Sequence, residues 1–191
     1  MRFLLIGLAI FLGMHSVRIF AEPWRARQVE RLGEWGWKGL YSVVSLAGFL
    51  TIVHGMRVAQ ANPTELWSPP EWAAELTAVL ALASLVLVAA AYIPGSRIKA
   101  TLGHPMVLGV ALLSFGHLLA DSRMHAVVLF GALLLWALID FFSARGRDGE
   151  VGIAYASGRA ARDIIVVAVA LAAWALIFFT LHDRLFGIAA T

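Results

Sequence analysis

Six runs of apolar residues, most of them long enough to cross a lipid bilayer, constrain this chain more than any other feature. A helix that spans a membrane needs about 20 consecutive, mostly apolar residues. Hydropathy read against turn signals predicts helices at 3–21, 37–59, 72–93, 105–120, 125–143 and 163–182. The predicted fold class is therefore all-α, a polytopic membrane bundle of about six transmembrane helices, forming one integral membrane domain over residues 1–191.

Composition limits what such a bundle can do. The chain is 61% hydrophobic and 14% charged, which leaves no room for an extramembrane domain of ordinary size. It has no cysteine, so disulfides, thiolate metal sites and a cysteine nucleophile are excluded, and histidine remains as the strong metal ligand. The sequence pI near 9.8 fits basic cytoplasmic loops better than nucleic-acid binding. The lipid bilayer is the expected partner, and nucleic acid is not.

Basic residues predict the orientation of the bundle. Alternate loops on one side carry ten of them, against four on the other side, with Arg18 set aside because it lies within the first predicted helix. The ten are Arg25, Arg27, Arg31, Lys38, Arg97, Lys99, Arg145, Arg147, Arg159 and Arg162, and the four are Arg2, Arg57, Arg123 and Arg184. Because lysine and arginine collect in cytoplasmic loops, both termini are expected outside the cytoplasm.

Ionisable side chains inside the predicted spans are the candidates for function, because each is costly in hydrocarbon and requires a partner or a role. They are His15, Arg18, His54, Glu75, His117 and Asp140. Glu75 is near enough to a boundary to reach the interface. Arg18 and Asp140 match in depth and are opposite in charge, which predicts a pair between the first and fifth spans. The alternative is that each snorkels separately toward the headgroups.

The stretch "HPMVLGVALLSFGHLLAD" holds two histidines thirteen positions apart. On a helix that spacing corresponds to about 220° and about 20 Å, so His104 and His117 cannot share one small metal ion. His104 precedes the fourth helix, where a capping or headgroup-level role is expected. His117 lies deep in the span, and a surface of small residues around it would let a bulky or flat group approach the helix. That surface comprises Gly109, Ser114 and Gly116.

Two buried histidines on facing helices are a common way for a bundle to hold haem. Helical rise puts His117 about 18 Å, His54 about 24 Å and His15 about 9 Å from the inner boundary. Depth alone pairs His117 with His54 and leaves His15 as the alternative. The competing interpretation is that these histidines only form hydrogen bonds between helices.

Three blocks in order carry a family resemblance: "MHSVRIFAEPWR", "GWKGLYSVVSLAGF" and "GHPMVLGVALLSFGHLLAD". They resemble the NnrU family of bacterial membrane proteins, a name linked to denitrification. The resemblance covers about residues 1–147, ending near "WALIDFFSARGR", and covers the last span poorly. It implies a multi-pass protein of the bacterial inner membrane, whose termini the charge pattern places in the periplasm.

NnrU proteins are in turn similar to zeta-carotene isomerase, a membrane enzyme that uses haem b. The positions that match its axial ligands are His15 in "MHSVR" and His117 in "SFGHLL", whereas His54 and His104 match histidines without an assigned ligand role. That enzyme also has a cysteine three residues before its second ligand, and this chain has Ser114 there. A hydroxyl is a poor ligand for ferrous haem, so the resemblance does not bring the isomerase reaction with it.

Three functions follow as expectations. The first is an accessory factor of denitrification that holds haem b between His15 and His117, with Arg18 near a haem propionate and reductase components as partners. The second is an isomerase of the zeta-carotene type acting on a polyene substrate, which leaves open whether the chain is an enzyme. The third is a membrane assembly protein without a cofactor.

Overall fold

The computed structural model describes residues 1–181 and follows the apolar runs of the sequence. Its helices are α1 (Arg2–Phe20), α2 (Glu22–Gln60), α3 (Ala73–Tyr92), α4 (Arg97–Leu102), α5 (Pro105–Ala120), α6 (Met124–Val151) and α7 (Ala160–Leu176), followed by a π-helical turn at Ile177–Leu181. Residue 182, the end of the last predicted span, lies outside the described range. Within residues 1–181, five helices are long and apolar enough to cross a membrane, and the apolar α5 is shorter, with 16 residues. The all-α membrane bundle is confirmed.

Helix α2 is longer than the predicted 37–59 span, because residues 22–32, expected in a loop, are also helical. A single residue, Ala21, separates α1 from α2, and Pro23 lies at the start of α2, where its missing N–H costs nothing. Gly33 interrupts the helix with φ 72° and ψ 164°, a backbone conformation that favours glycine. The basic residues of this segment therefore lie on a helical arm that precedes the span.

The chain divides into two compact units, which are described separately. Unit 1 comprises Met1–Leu66 and Arg123–Ala132, and unit 2 comprises Trp67–Ser122 and the residues from Leu133 onward. Unit 1 thus holds α1, α2 and the first turns of α6, and unit 2 holds the rest of α6 and the other helices.

In unit 1, α1 and α2 run antiparallel and approach closely at glycines. A Cβ atom added to Gly55 would overlap the backbone of Leu4, and one added to Gly48 would lie 2.8 Å from the Phe11 nitrogen. Leu4 and Ile52 are buried between the helices. Gly48 and Gly55 therefore let the two helices pack closely, which suits membrane helices, whose association depends on close van der Waals contact.

In unit 2, α3 and α5 pack through small residues. The Ser84 hydroxyl donates to the Gly109 carbonyl at 2.8 Å, and the Thr77 hydroxyl donates to the Gly116 carbonyl at 2.7 Å. A Cβ atom added to Gly109 would lie 2.9 Å from the Ser84 carbonyl oxygen. The small-residue surface expected to admit a flat group beside His117 is therefore occupied by α3, which corrects that expectation.

A short helix that the sequence did not predict, α4, joins α3 to α5. The Ser96 hydroxyl accepts from the Lys99 N–H at 3.0 Å and caps its first turn. The start of α7 contacts α4 and the residues before it. Asp163 Oδ1, in the first turn of α7, accepts from the Arg97 N–H at 2.8 Å, and the Arg159 N–H, just before α7, donates to the Gly95 carbonyl at 2.9 Å. At this end of unit 2, the ends of α3 to α7 are tied together.

Candidate functional site

His15 lies in the last third of α1 and is half-buried. Its Nδ1 atom is 2.7 Å from the carbonyl oxygen of Phe11, one helical turn earlier. Its ring also lies 4.1 Å from the Phe11 ring and 5.2 Å from the Tyr41 ring, measured between centroids. Because a carbonyl oxygen only accepts, Nδ1 carries the proton, and in the neutral ring the lone pair is on Nε2.

His117, in the last turn of α5, has the same local arrangement. It is half-buried, and its Nδ1 atom donates to the carbonyl oxygen of Leu113 at 2.9 Å. The neutral ring again has its lone pair on Nε2. Histidines that bind metals usually donate their other ring N–H to a carbonyl or carboxylate, which fixes the tautomer and the ring orientation. Both matched histidines therefore have the hydrogen bond that suits coordination through Nε2.

The two remaining residues of the predicted site in unit 1 are Arg18 and His54. Arg18 follows His15 by nearly one turn in α1 and is exposed, and within residues 1–181 it makes no ion pair. His54 is exposed on α2, and its ring meets the edge of the Phe3 ring at 4.9 Å between centroids. Because α1 and α2 are antiparallel, with Gly55 opposite Leu4, His54 lies beside the start of α1, far from His15.

His104 precedes α5, as its Pro105 signal predicts, but its side chain forms no cap, which corrects the capping expectation. Instead, Nε2 donates to Asp148 Oδ2 on α6 at 2.7 Å and lies 3.2 Å from the Tyr155 hydroxyl. Tyr155 donates to the same Asp148 oxygen. His104 therefore carries its proton on Nε2, the opposite tautomer to His15 and His117.

The Tyr155 ring reaches this cluster because residue 103 is glycine. A Cβ atom at Gly103 would lie 2.8 Å from the ring and from its hydroxyl. Burial, together with the hydrogen bond to Asp148, raises the pKa of the Tyr155 phenol above its ordinary value of 10.0. The phenol therefore stays protonated and acts as a hydrogen-bond donor at neutral pH.

A cleft of about 350 Å³ opens beside the cluster of His104, Asp148 and Tyr155. Its walls come from the end of α4, the end of α6 and the loop that follows α6. They comprise Ala100, Thr101, Arg145, Asp148, Gly149, Gly152, Ile153 and Tyr155. Sequence reasoning missed this cleft, because none of its lining residues lies inside a predicted span.

Asp140, predicted to pair with Arg18, has a charge partner on its own helix. Its Oδ1 atom lies 4.0 Å from Nη2 of Arg147, whose Nη1 donates to the Ser143 hydroxyl at 2.6 Å. Arg18 belongs to unit 1 and Asp140 to unit 2, so their pairing stays a prediction. Among residues 1–181, no three side chains of His, Cys, Asp or Glu are grouped so that they could hold a metal ion.

Apolar spanning helices, short connections and histidines with defined tautomers describe a polytopic helical membrane protein with candidate imidazole ligands. The chain belongs to the NnrU family, since the family model described as NnrU protein matches residues 3–190. The match continues past residue 147, where the quoted sequence blocks end, and includes α7. No curated protein and no solved structure matches the chain.

Proposed function

We propose that this NnrU protein binds haem b through His15 and His117 and serves as an accessory factor of denitrification in the bacterial inner membrane, with both termini in the periplasm. The observation that carries the proposal is the shared hydrogen bond of the two histidines. Each donates Nδ1–H to the carbonyl one turn earlier, at 2.7 Å for His15 and 2.9 Å for His117. Neutral imidazole is the form that ligates haem iron, and these bonds favour coordination through Nε2.

The other candidate histidines fit this role less well. Nε2 of His104 donates to Asp148, so coordination of iron would require the loss of that hydrogen bond. His54 is exposed and, in the described part of the chain, no hydrogen bond fixes its tautomer. The donor set therefore favours His15 over His54, the residue that depth arithmetic preferred.

Arg18 would pair with a haem propionate. It lies on α1 three residues after His15, and its guanidinium makes no ion pair with the described residues. An arginine binds a carboxylate strongly because two parallel N–H groups match its two oxygens. When bound, a haem with two imidazole ligands supplies one-electron redox chemistry, which suits sensing or electron supply to nitrite and nitric oxide reductase components.

The absorption spectrum tests haem binding. We expect the protein expressed with haem supplied to show a Soret band, lost in His15→Ala and His117→Ala. The matched controls, His54→Ala and His104→Ala, keep it. Thermal unfolding of each variant separates loss of haem from loss of fold, and added imidazole should restore the band in His117→Gly. A colourless protein, or a band that survives both ligand substitutions, would overturn the assignment.

The accessory role is tested in a denitrifying strain that lacks its own copy of the gene. The unaltered chain should restore nitrite and nitric oxide consumption, whereas the His15→Ala and His117→Ala variants should not. Restoration by both variants would separate the role in denitrification from haem. Coexpression with a tri-cis carotenoid precursor pathway tests the isomerase alternative. Because Ser114 stands where the isomerase has a cysteine, we expect the product pigment to stay unchanged.

A further inference from the structure

The cleft beside Asp148 lies at the level of the lipid headgroups, whichever side of the membrane it faces. Asp148 is five residues past the predicted 125–143 span, which corresponds to about 7 Å along a helix. The polar headgroup region adds about 5–7 Å on each side of the hydrocarbon core. Because the ends of α3, α5 and α7 are tied to α4 and α6 at this end of unit 2, the whole cleft shares that depth.

The cleft offers a cation whose charge acts on the Asp148 carboxylate but whose N–H groups have no acceptor among the described residues. Arg145 lines it and, within residues 1–181, forms no hydrogen bond or ion pair. Neighbouring basic residues are engaged instead, because Arg147 bonds Ser143 and Lys99 donates to the Ala91 carbonyl at 2.8 Å. An arginine with its donors available at headgroup depth is suited to a phosphate.

The same cleft offers an acceptor. The Asp148 side chain is 15% exposed, and both His104 and Tyr155 bond to its Oδ2 atom. Oδ1 has no hydrogen bond to another described residue, so it can accept from a ligand. Hydrogen bonds from Tyr155 and His104 fix the carboxylate in place, and Gly103 leaves room for the Tyr155 ring. One wall of the cleft is therefore suited to a negative group, and another to a positive hydrogen-bond donor.

We propose that this cleft binds a phosphoethanolamine group, with its phosphate at Arg145 and its primary ammonium at Oδ1 of Asp148. The space of about 350 Å³ equals roughly twelve water molecules at about 30 Å³ each, which is more than this group requires. Phosphatidylglycerol has no ammonium to donate. The quaternary ammonium of phosphatidylcholine has no N–H. Of these three headgroups, the donor and acceptor in the cleft therefore select ethanolamine.

Lipid titration of the full chain in detergent, followed by native mass spectrometry, tests the proposal. The probes are dioleoyl phosphatidylethanolamine, phosphatidylcholine and phosphatidylglycerol, which share acyl chains and differ in the headgroup. One charge-assisted hydrogen bond at a partly exposed site corresponds to about a tenfold preference for the ethanolamine lipid. Equal affinity for the ethanolamine and choline lipids would overturn the proposal.

Two substitutions assign the two ends of the headgroup, each with a matched control. Arg145→Gln should weaken binding of the ethanolamine lipid about tenfold, whereas Arg159→Gln, an exposed arginine outside the cleft, should not. Asp148→Asn keeps an acceptor for His104 and Tyr155 but should remove the preference for ethanolamine over choline. Its control, Glu150→Gln, should keep that preference.

Equal losses in Arg145→Gln and Arg159→Gln would contradict the assignment, because they would indicate a diffuse attraction of charge. Free phosphoethanolamine, titrated in the same assay, distinguishes the source of the group. Binding only of the lipid identifies a lipid site, and binding of the free compound with the same dependence on Arg145 identifies a site for a soluble amino phosphate. Both results support the recognition chemistry, whereas binding of neither overturns it.

Discussion

Replacing Gly103 by alanine should destabilise unit 2 for two reasons that can be separated. Gly103 has φ 74° and ψ −60°, and the His104 N–H donates to the Leu102 carbonyl at 2.9 Å, so Gly103 is the centre of a γ-turn with positive φ. An L residue held there costs about 1–3 kcal/mol. The added Cβ would also lie 2.8 Å from the Tyr155 ring. Displacing that ring breaks its bond to Asp148, a further loss of about 1.5 kcal/mol.

Gly152 is the matched control, because it has φ 70° but nothing within 4 Å of an added Cβ. Gly152→Ala should therefore cost only the backbone term, about 1–3 kcal/mol. Unfolding in mixed micelles with increasing dodecyl sulfate, followed by tryptophan fluorescence, measures both changes. In a Tyr155→Ala background, the cost of Gly103→Ala should fall to the cost of Gly152→Ala. If the two alanines cost the same in the unaltered chain, the ring contact contributes nothing and the reasoning fails.

Three further predictions concern pH, helix packing and the hydrogen bond between Asp163 and the first turn of α4. The pKa of the Tyr155 phenol is raised in the folded protein, so the stability that this group adds is complete below pH 10 and declines as the pH rises through the folded pKa. Tyr155→Phe should therefore be destabilising at pH 8 and nearly neutral well above pH 10. A phenolate absorbance that titrates at the ordinary value would contradict this. Gly48→Leu should force α1 from α2 and cost at least about 2 kcal/mol in the same micelle assay, whereas Gly39→Leu, with open space around its Cβ, should cost little. Asp163→Ala should lower the free energy of unfolding by about 1 kcal/mol and increase amide exchange in the first turn of α4. Unchanged exchange there would show that Asp163 does not stabilise that turn.

The spans were predictable because the bilayer imposes a length and a composition that few sequences satisfy by chance. The segment 22–32 was not, since its arginines and glutamates look like a loop when hydropathy is the only guide. Its helix is supported by local contacts, including an ion pair of 2.9 Å between Arg25 and Glu22 and an edge contact of 5.8 Å between Trp24 and Trp37. A polar helix beside a membrane has no hydropathy signal of its own.

The cluster around His104 was beyond sequence reasoning for a different reason. Its partners lie 44 and 51 residues further along the chain, at Asp148 and Tyr155, in a segment expected to be a cytoplasmic loop. Charged residues in such a loop usually face water, so nothing in the sequence marks one carboxylate as half-buried. The loop after α6 returns over α4, where Gly158 packs against the backbone of Arg97. This return brings His104, Asp148 and Tyr155 together.

The sequence separates the structural histidine from the candidate ligands by a second criterion besides depth in the membrane. A histidine inside a helix has the carbonyl of the preceding turn within reach of Nδ1, and His15 and His117 use it. His104 precedes Pro105, so the helix that would supply such a carbonyl has not begun, and its ring turns to α6 instead. Proline after a histidine is visible in the sequence, and it predicts a tautomer for this ring that differs from that of the other two. Since Nε2 must carry a lone pair to bind iron, that single neighbour already separates a structural histidine from candidate ligands.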